Sequence, residues 1–270
     1  MLAQRLITAA IGIPIIVGVI LLGGIIYAIV AGAILALASL EFCALAERSE
    51  ESRPLWRPRP LAVAAAAGVG LIVAGAEAGT DEWSGAIAAA VALTLVVALL
   101  RADPPRDFGS WIAAVAAVAY IGFLGSHFVL LRDLDDGGEW VLLAVLGTWA
   151  TDTFAYAAGR LFGRVKLVPR ISPGKTIEGT AAAMIGGAAS VFALGMVLDL
   201  PMSTTEALLI GAIFPAFAII GDLAESFVKR GAGVKDTSEL VPGHGGFLDR
   251  LDSLLFTVPL VYYFAIWVVL

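Results

Sequence analysis

Nine long apolar runs, separated by short polar segments, restrict this chain to one class of fold. They lie near 6–22, 25–46, 61–76, 84–100, 111–131, 140–158, 178–198, 205–228 and 251–270. A helix that crosses a bilayer needs roughly 20 apolar residues, with about 17 as the lower end. Because 60% of the residues are hydrophobic and only 15% are charged, an ordinary soluble domain is excluded. The sequence therefore predicts an all-α polytopic membrane protein with about nine transmembrane helices.

Small residues indicate where these helices turn and pack. Gly23 and Gly24 alone separate the first two runs, which predicts a tight helical hairpin. Small residues also recur at a spacing of four in the second and seventh runs, at Ala28, Gly32 and Ala36 and at Gly179, Ala183 and Gly187. Such rows allow helix backbones to approach closely in lipid. His127, in the fifth run, is assigned to helix packing.

The distribution of basic residues predicts the orientation in the membrane. With nine helices, 16 of the 17 lysines and arginines fall on one side, and only Arg132 falls on the other. Loops rich in lysine and arginine remain in the cytoplasm. The amino terminus is therefore predicted to be cytoplasmic and the carboxyl terminus outside. The polar loops at 159–178 and 229–250 then face the cytosol.

One stretch, from Gly221 to Ser253, concentrates charge and glycine between two apolar runs. Its helical spacing puts four polar residues on one face, namely Asp222, Glu225, Ser226 and Lys229. Further along come Arg230, Lys235, Asp236, the run Gly243-His244-Gly245-Gly246, Asp249, Arg250 and Asp252. Carboxylates bind hard cations, cations bind phosphates, and glycines allow close approach. These are the parts of a phosphoryl-transfer site.

This stretch resembles the signature of the phosphatidate cytidylyltransferases (CDP-diacylglycerol synthases). The matching positions are Ser226, Lys229-Arg230, Lys235-Asp236, Pro242-Gly243-His244-Gly245-Gly246 and Asp249-Arg250-Leu251-Asp252. The resemblance implies that CTP and phosphatidate are converted to CDP-diacylglycerol and pyrophosphate at a membrane, with Mg²⁺. We refer to residues 226–252 as the signature segment.

A second motif precedes the seventh apolar run and reads Ser172-Pro173-Gly174-Lys175-Thr176-Ile177-Glu178-Gly179. Either Ser172 caps a helix that begins at Pro173, or a turn leads into a helix capped by Thr176. Both arrangements collect free amides, hydroxyls and Lys175 at a helix start, where anions bind. The family resemblance extends to this element, which implies a second wall of the nucleotide site. A simple capped helix start is the alternative.

Carboxylates within the apolar runs or at their heads are the candidate metal ligands. Mg²⁺ takes about six oxygens and commonly uses one or two protein carboxylates together with substrate phosphates. Asp222 and Asp249, on different helices, fit that demand, and Glu225 or Asp252 could substitute for either. Asp152 lies inside the sixth run, where an ionisable residue is expensive and functional by default. It is a further candidate ligand, or else an ion-pair partner that holds helices together.

The expected roles follow from residue chemistry and from the resemblance. The residues assigned to catalysis are Asp222, Asp249, Lys229, Arg230, Lys235 and Asp236. Those assigned to substrate binding are Ser172, Lys175, Thr176, Glu178, Ser226, His244, Gly245, Gly246, Arg250 and Asp252. His244 can contact a phosphate or base, or it can be purely structural.

The sequence also predicts which region of the chain has which role and which partners the protein binds. Residues 1–131 are interpreted as scaffold helices with lipid contact, and residues 132–270 as the catalytic region with its two motif loops. The expected partners are CTP, phosphatidate and the lipid bilayer, with no nucleic acid and with a homodimer left open. The bacterial inner membrane is the expected location, with the active site facing the cytosol. An ion-coupled transporter and a CTP-dependent lipid kinase are the competing functions.

Overall fold

The computed structural model describes residues 2–46, 59–238, 240 and 245–270, and most of them are helical. The helices are α1 (Leu2–Leu22), α2 (Gly24–Ala46), α3 (Pro60–Ala78), α4 (Thr80–Arg101), α5 (Pro104–Ala117), α6 (Leu124–Arg132), α7 (Gly137–Phe162), α8 (Ile177–Val197), α9 (Thr204–Gly231), α10 (Leu248–Leu251) and α11 (Leu254–Phe264). π-helical turns at Val118–Phe123 and Ala265–Val269 extend α5 into α6 and α11 to its end. One hairpin, β1 (Lys166–Val168) with β2 (Ser172–Thr176), precedes α8.

Each of the nine apolar runs coincides with one of these helical stretches. Within the described residues, eight stretches are long and apolar enough to cross a membrane. The ninth, α1, contributes the shorter apolar segment Ala10–Leu22. The prediction of an all-α polytopic membrane protein is therefore confirmed.

The chain divides into two compact units, and the predicted division into scaffold and catalytic regions stays a prediction. The first unit comprises Met1–Asp133 and Gly231–Leu251, and the second comprises Leu134–Arg230 and Asp252–Leu270. The break after Asp133 lies close to the predicted boundary at 131. Most of the signature segment, however, belongs to the same unit as the amino-terminal helices.

In the first unit, a tight corner joins α1 to α2. Gly23 and Gly24 have φ values of +63° and +54°, which residues with a Cβ rarely adopt, so the chain turns at the glycine pair that the sequence singles out. A Cβ at Gly23 would collide with the guanidinium of Arg132. Arg132 Nε donates a hydrogen bond to the Ile20 carbonyl at 2.8 Å, so this cation satisfies a carbonyl in the last turn of α1.

Helix α3 lies at the centre of the first unit, with Ala65, Val69 and Ile72 fully buried. Glycines allow close approach here, because a Cβ at Gly75 would lie 2.7 Å from Ala86 Cβ on α4. His127 is also buried, and its ring packs edge-on against Trp83 and Phe123. This packing role agrees with the sequence interpretation.

In the second unit, α7, α8 and α9 pack through small residues. Gly179, Ala183 and Gly187 are buried along one face of α8, as their spacing predicts. A Cβ at Gly187 would lie 2.5 Å from Thr151 Oγ1 on α7 and 2.9 Å from Pro215 Cγ on α9. The lack of a side chain at Gly187 therefore allows α8 to pack closely against both α7 and α9.

Candidate active site

The Ser172–Glu178 element is a β-strand that leads directly into a capped helix. β2 pairs antiparallel with β1, with Lys166 opposite Thr176. Thr176 Oγ1 accepts a hydrogen bond from Gly179 N at 3.1 Å, so the second of the two arrangements predicted for this motif is the one that forms. Glu178 accepts from the Val165 amide at 3.3 Å, and the Ile177 amide donates to Val165 O at 2.9 Å. These contacts hold the hairpin against the first turn of α8.

Lys175 projects from this hairpin to a carboxylate on α9. Its Nζ lies 2.6 Å from Asp222 Oδ2, and the two side chains are 18% and 32% exposed. Ser226 Oγ, one turn further along α9, donates to Asp222 Oδ1 at 3.3 Å. The structure thus brings together three predicted site residues from two separate motifs: Lys175, Asp222 and Ser226.

The cations at the end of α9 have partners of their own. Lys229 Nζ lies 2.5 Å from Glu225 Oε2, and Glu225 is almost fully buried. Arg230 Nε donates to the Ile171 carbonyl in the hairpin turn at 3.2 Å. Glu225 is therefore engaged with a lysine inside the protein, which leaves Asp222 as the more accessible carboxylate of this helix face.

The oxygen donors around Asp222 fit a hard divalent cation. A half-exposed carboxylate with a neighbouring hydroxyl is a donor set that Mg²⁺ accepts, and the carboxylate already holds a cation, the Lys175 ammonium. Among the residues that the structure describes, no three His, Cys, Asp or Glu side chains form a preformed cage.

The described part of the signature segment is organised around Asp249 in the first unit. Asp249 is buried, and its Oδ2 accepts from Thr237 N at 2.9 Å, Thr237 Oγ1 at 2.7 Å and Gly246 N at 2.8 Å. Gly245 has a φ of +80°, and a Cβ there would lie 2.6 Å from Asp249 Oδ2. The glycine amides were expected to face substrate, but the Gly246 amide is used to hold Asp249.

The remaining predicted residues have varied settings. Lys235, Asp236 and Arg250 are exposed, and Pro242, Gly243 and His244 lie outside the described residues. Asp152 is exposed on α7 rather than buried among helices.

The position of Asp252 is set by packing in the second unit. A Cβ at Gly221 would lie 2.6 Å from the carbonyl oxygen of Asp252, so α9 packs on the backbone that leads into α11.

Among the described residues, one fully buried carboxylate was not selected from the sequence. Glu41, in α2, is fully buried and accepts hydrogen bonds from Thr237, Ser238, Phe247 and Leu248. The signal that could have found it is the one used for Asp152, namely an ionisable residue inside an apolar run. Glu41 lies near the end of its run, where a carboxylate also reads as the beginning of the following polar loop.

These observations define a class, a polytopic membrane protein whose charged groups gather at helix ends and at a hairpin. The chain belongs to the cytidylyltransferase family, whose model matches residues 3–268. The phosphatidate cytidylyltransferase of Bacillus subtilis (strain 168) is 40% identical over 148 residues, which are 54% of this chain and 55% of that protein.

Two further relatives carry the same name. That of Staphylococcus epidermidis (strain ATCC 12228 / FDA PCI 1200) is 43% identical over 145 residues, 54% of this chain and 55% of the relative. Phosphatidate cytidylyltransferase 4, chloroplastic, of Arabidopsis thaliana is 35% identical over 202 residues, 66% of this chain and 51% of the relative. The chain thus spans about half the length of the curated relatives it matches.

Proposed function

We propose that this protein transfers CMP from CTP to phosphatidate, giving CDP-diacylglycerol and pyrophosphate. The observation that carries most weight is membership of the cytidylyltransferase family across residues 3–268. Its relatives named phosphatidate cytidylyltransferase support the choice of lipid substrate. The cations and carboxylates at helix ends support a reaction between two anions beside a bilayer.

The chemistry needs little help from a general base, because a phosphate monoester is already anionic near neutral pH. An oxygen of the phosphatidate phosphate attacks the α-phosphorus of CTP in line. A new phosphoanhydride bond forms while the bond to the bridging oxygen breaks, and pyrophosphate leaves with that electron pair. The protein's task is to bring two anions together and to stabilise charge on the leaving pyrophosphate.

The cationic side chains supply that stabilisation in this proposal. Lys175 is preorganised by Asp222 at 2.6 Å, and Arg230 is held at the hairpin turn by Ile171 O. Lys229, Lys235 and Arg250 are the further predicted phosphate partners. Lys229 and Arg230 are already held by Glu225 Oε2 and Ile171 O, so they require little reorganisation when charge develops.

Mg²⁺ is proposed as the metal, with Asp222 and Asp249 retained as the candidate ligands from the sequence. When bound, it would neutralise CTP phosphates and polarise the reacting phosphoryl group. At Asp222 the metal would take the carboxylate that the Lys175 ammonium contacts. Lys175 would then be available to a phosphate oxygen.

The location is proposed in the same terms. The eight long apolar helices support an integral membrane protein, and the bias of basic residues supports an active site that faces the cytosol, where CTP is found. The bacterial inner membrane is the proposed compartment. The diacyl tails stay in lipid while the nucleotide arrives from water.

Product analysis with positional labels tests this function. The purified protein in mixed micelles is given phosphatidate, Mg²⁺ and CTP labelled at either the α- or the γ-phosphate. We expect α-label in the lipid and γ-label in released pyrophosphate. Label from the γ-position in the lipid would indicate a lipid kinase instead, and absence of both labels from the lipid would overturn the proposal.

A further inference from the structure

Glu41 is a charged residue inside an apolar helix, and its burial has to be compensated. Its side chain is fully buried in α2, where an uncompensated carboxylate would be costly. Oε1 accepts from Ser238 Oγ at 2.6 Å and from Phe247 N at 3.0 Å. Oε2 accepts from Leu248 N at 2.8 Å and lies 3.2 Å from Thr237 Oγ1, whose single hydroxyl hydrogen it shares with the closer Asp249 Oδ2.

The four donors come from two places in the signature segment. Thr237 and Ser238 lie before the glycine run, and Phe247 and Leu248 lie after it. One carboxylate therefore ties together two pieces of chain that are about 200 residues away from it in sequence, since the separations are 196 to 207 residues. We call Glu41 with these four donors the Glu41 clamp.

The clamp connects directly to Asp249. The Thr237 hydroxyl that faces Glu41 also lies 2.7 Å from Asp249 Oδ2, which the Thr237 amide contacts at 2.9 Å. Gly246 fits tightly between these groups, because a Cβ there would collide with Thr237 Oγ1 and with Glu41 Oε2. The position of Asp249 is thereby coupled to Glu41 through Thr237 and Gly246.

We propose that Glu41 is a positioning residue for the transfer reaction, acting through Thr237 to hold Asp249 in its reactive arrangement. This inference rests on the proposed function. It also assigns a role to the amino-terminal helices, which the sequence analysis regarded as scaffold. Outer groups that orient reactive residues commonly matter to activity by roughly 10–100-fold when changed.

Glu41→Gln is the informative substitution because it keeps the size of the side chain. In the wild-type protein each carboxylate oxygen of Glu41 faces one hydroxyl and one backbone N–H. The glutamine side chain replaces one of these two oxygens by NH₂, so the hydroxyl and the N–H on that side lose their acceptor. The serine or threonine hydroxyl facing the NH₂ can rotate and accept. The backbone N–H that faces the NH₂ can only donate. In either orientation of the glutamine amide, therefore, Phe247 N or Leu248 N loses its acceptor.

The experiment combines kinetics with hydrogen exchange of the substrate-free protein. For Glu41→Gln we expect a fall in kcat on the order of tenfold or more. We also expect faster exchange confined to peptides covering Thr237–Leu251, with α3 and α8 unchanged. Glu41→Asp retains the charge and should recover part of both effects. Ser39→Ala, equally buried in α2, is the matched control and should change neither.

The outcomes separate the two proposals. An inactive wild-type protein counts against the proposed function, while the exchange pattern still decides whether Glu41 holds this segment. If hydrogen exchange rises uniformly in all helices of Glu41→Gln, Glu41 stabilises the whole fold rather than this segment, and the inference is overturned. Wild-type kcat and wild-type exchange in Glu41→Gln would overturn it as well.

Discussion

Lys175 and Asp222 hold each other at 2.6 Å, so a change at either residue also leaves the other without its opposite charge. Both side chains are partly exposed, and ion pairs in such settings contribute little to folding stability. Their substitution should therefore appear mainly in activity. The next two predictions neutralise the charge of Asp222 or of Lys175, and each has a control substitution on the same structural element.

Asp222→Asn should reduce turnover by more than the roughly 10–100-fold that changing an outer-shell group costs, because it removes a proposed metal ligand itself. The protein should still fold and insert. Glu206→Gln makes the same charge change at the other end of α9, where Glu206 accepts from Ser203 N, and should retain activity within about twofold. The measurement is initial rate against Mg²⁺ concentration. Wild-type rates in Asp222→Asn at low Mg²⁺ would remove Asp222 from the site.

Lys175→Ala should lose a charge-assisted contact of roughly 1.5–3 kcal/mol, or about tenfold to a hundredfold in kcat/KM for CTP. Lys175→Arg should recover only part, since a planar guanidinium does not reproduce a compact ammonium. Lys166→Ala is the control, as Lys166 is an exposed lysine of the same hairpin. A change that appeared only in the dependence on phosphatidate would assign Lys175 to the lipid instead.

Local signals in the sequence were sufficient for some residues and not for others. The Thr176 cap was predictable because an N-cap depends on the residues that immediately follow it. The pairing of Lys175 with Asp222 and the partners of Glu41 were not, because helical periodicity says which face a residue occupies and not which distant segment meets it. Lys175, Asp222 and Ser226 were selected from the sequence and lie together in the structure, and their roles in the reaction stay predictions. Glu41 was not selected.

At the scale of elements, the contact of α7 with α8 depends on glycine. A Cβ at Gly179 would lie 2.7 Å from Ala155 O and 3.1 Å from Gly159 Cα. The row of small residues was read from the sequence, but the β1–β2 hairpin beside it was not. The strands of this hairpin are short, and β2 contains Pro173 and Gly174. The pairing of the two strands also depends on contacts outside them, such as the hydrogen bond from Ile177 N to Val165 O at 2.9 Å.

Gly179→Ala should therefore destabilise the protein by roughly 1–3 kcal/mol, the usual cost of overpacking a close contact. At a helical position with open space, the same Gly→Ala substitution would stabilise the protein, because alanine stabilises a helix interior by roughly 0.5–1 kcal/mol relative to glycine. Gly70→Ala in α3 is the control, since a Cβ there has no atom within 4 Å. Thermal unfolding in detergent should show a lower midpoint for Gly179→Ala and an equal or higher one for Gly70→Ala. Equal midpoints for the two variants would contradict the tight contact.

For the whole molecule, the number and type of helices followed from the sequence because length and hydropathy are properties of each run by itself. The grouping of helices did not follow, since it depends on contacts between distant runs. Thus residues 231–251 were expected to work with the carboxyl-terminal region, yet they form a unit with residues 1–133. Glu41 shows why, because its four hydrogen bonds are made to that segment.

The orientation of the whole molecule is tested by single cysteines. Cys43, the one native cysteine, is buried and is first replaced by alanine. Asp135→Cys places a thiol in the exposed turn between α6 and α7, and Gly231→Cys places one at the exposed end of α9, where a Cβ meets no atom within 4 Å.

The partition of basic residues puts the first position outside and the second in the cytosol. A membrane-impermeant maleimide on intact cells should therefore label Asp135→Cys, and it should label Gly231→Cys only after permeabilisation. Gly174→Cys, exposed in β2 and equally unobstructed, should behave like Gly231→Cys because two spans separate them. Different labelling of Gly174→Cys and Gly231→Cys would mean that the helix count between them is wrong. Labelling of both from outside would overturn the orientation and the entry of CTP from the cytosol.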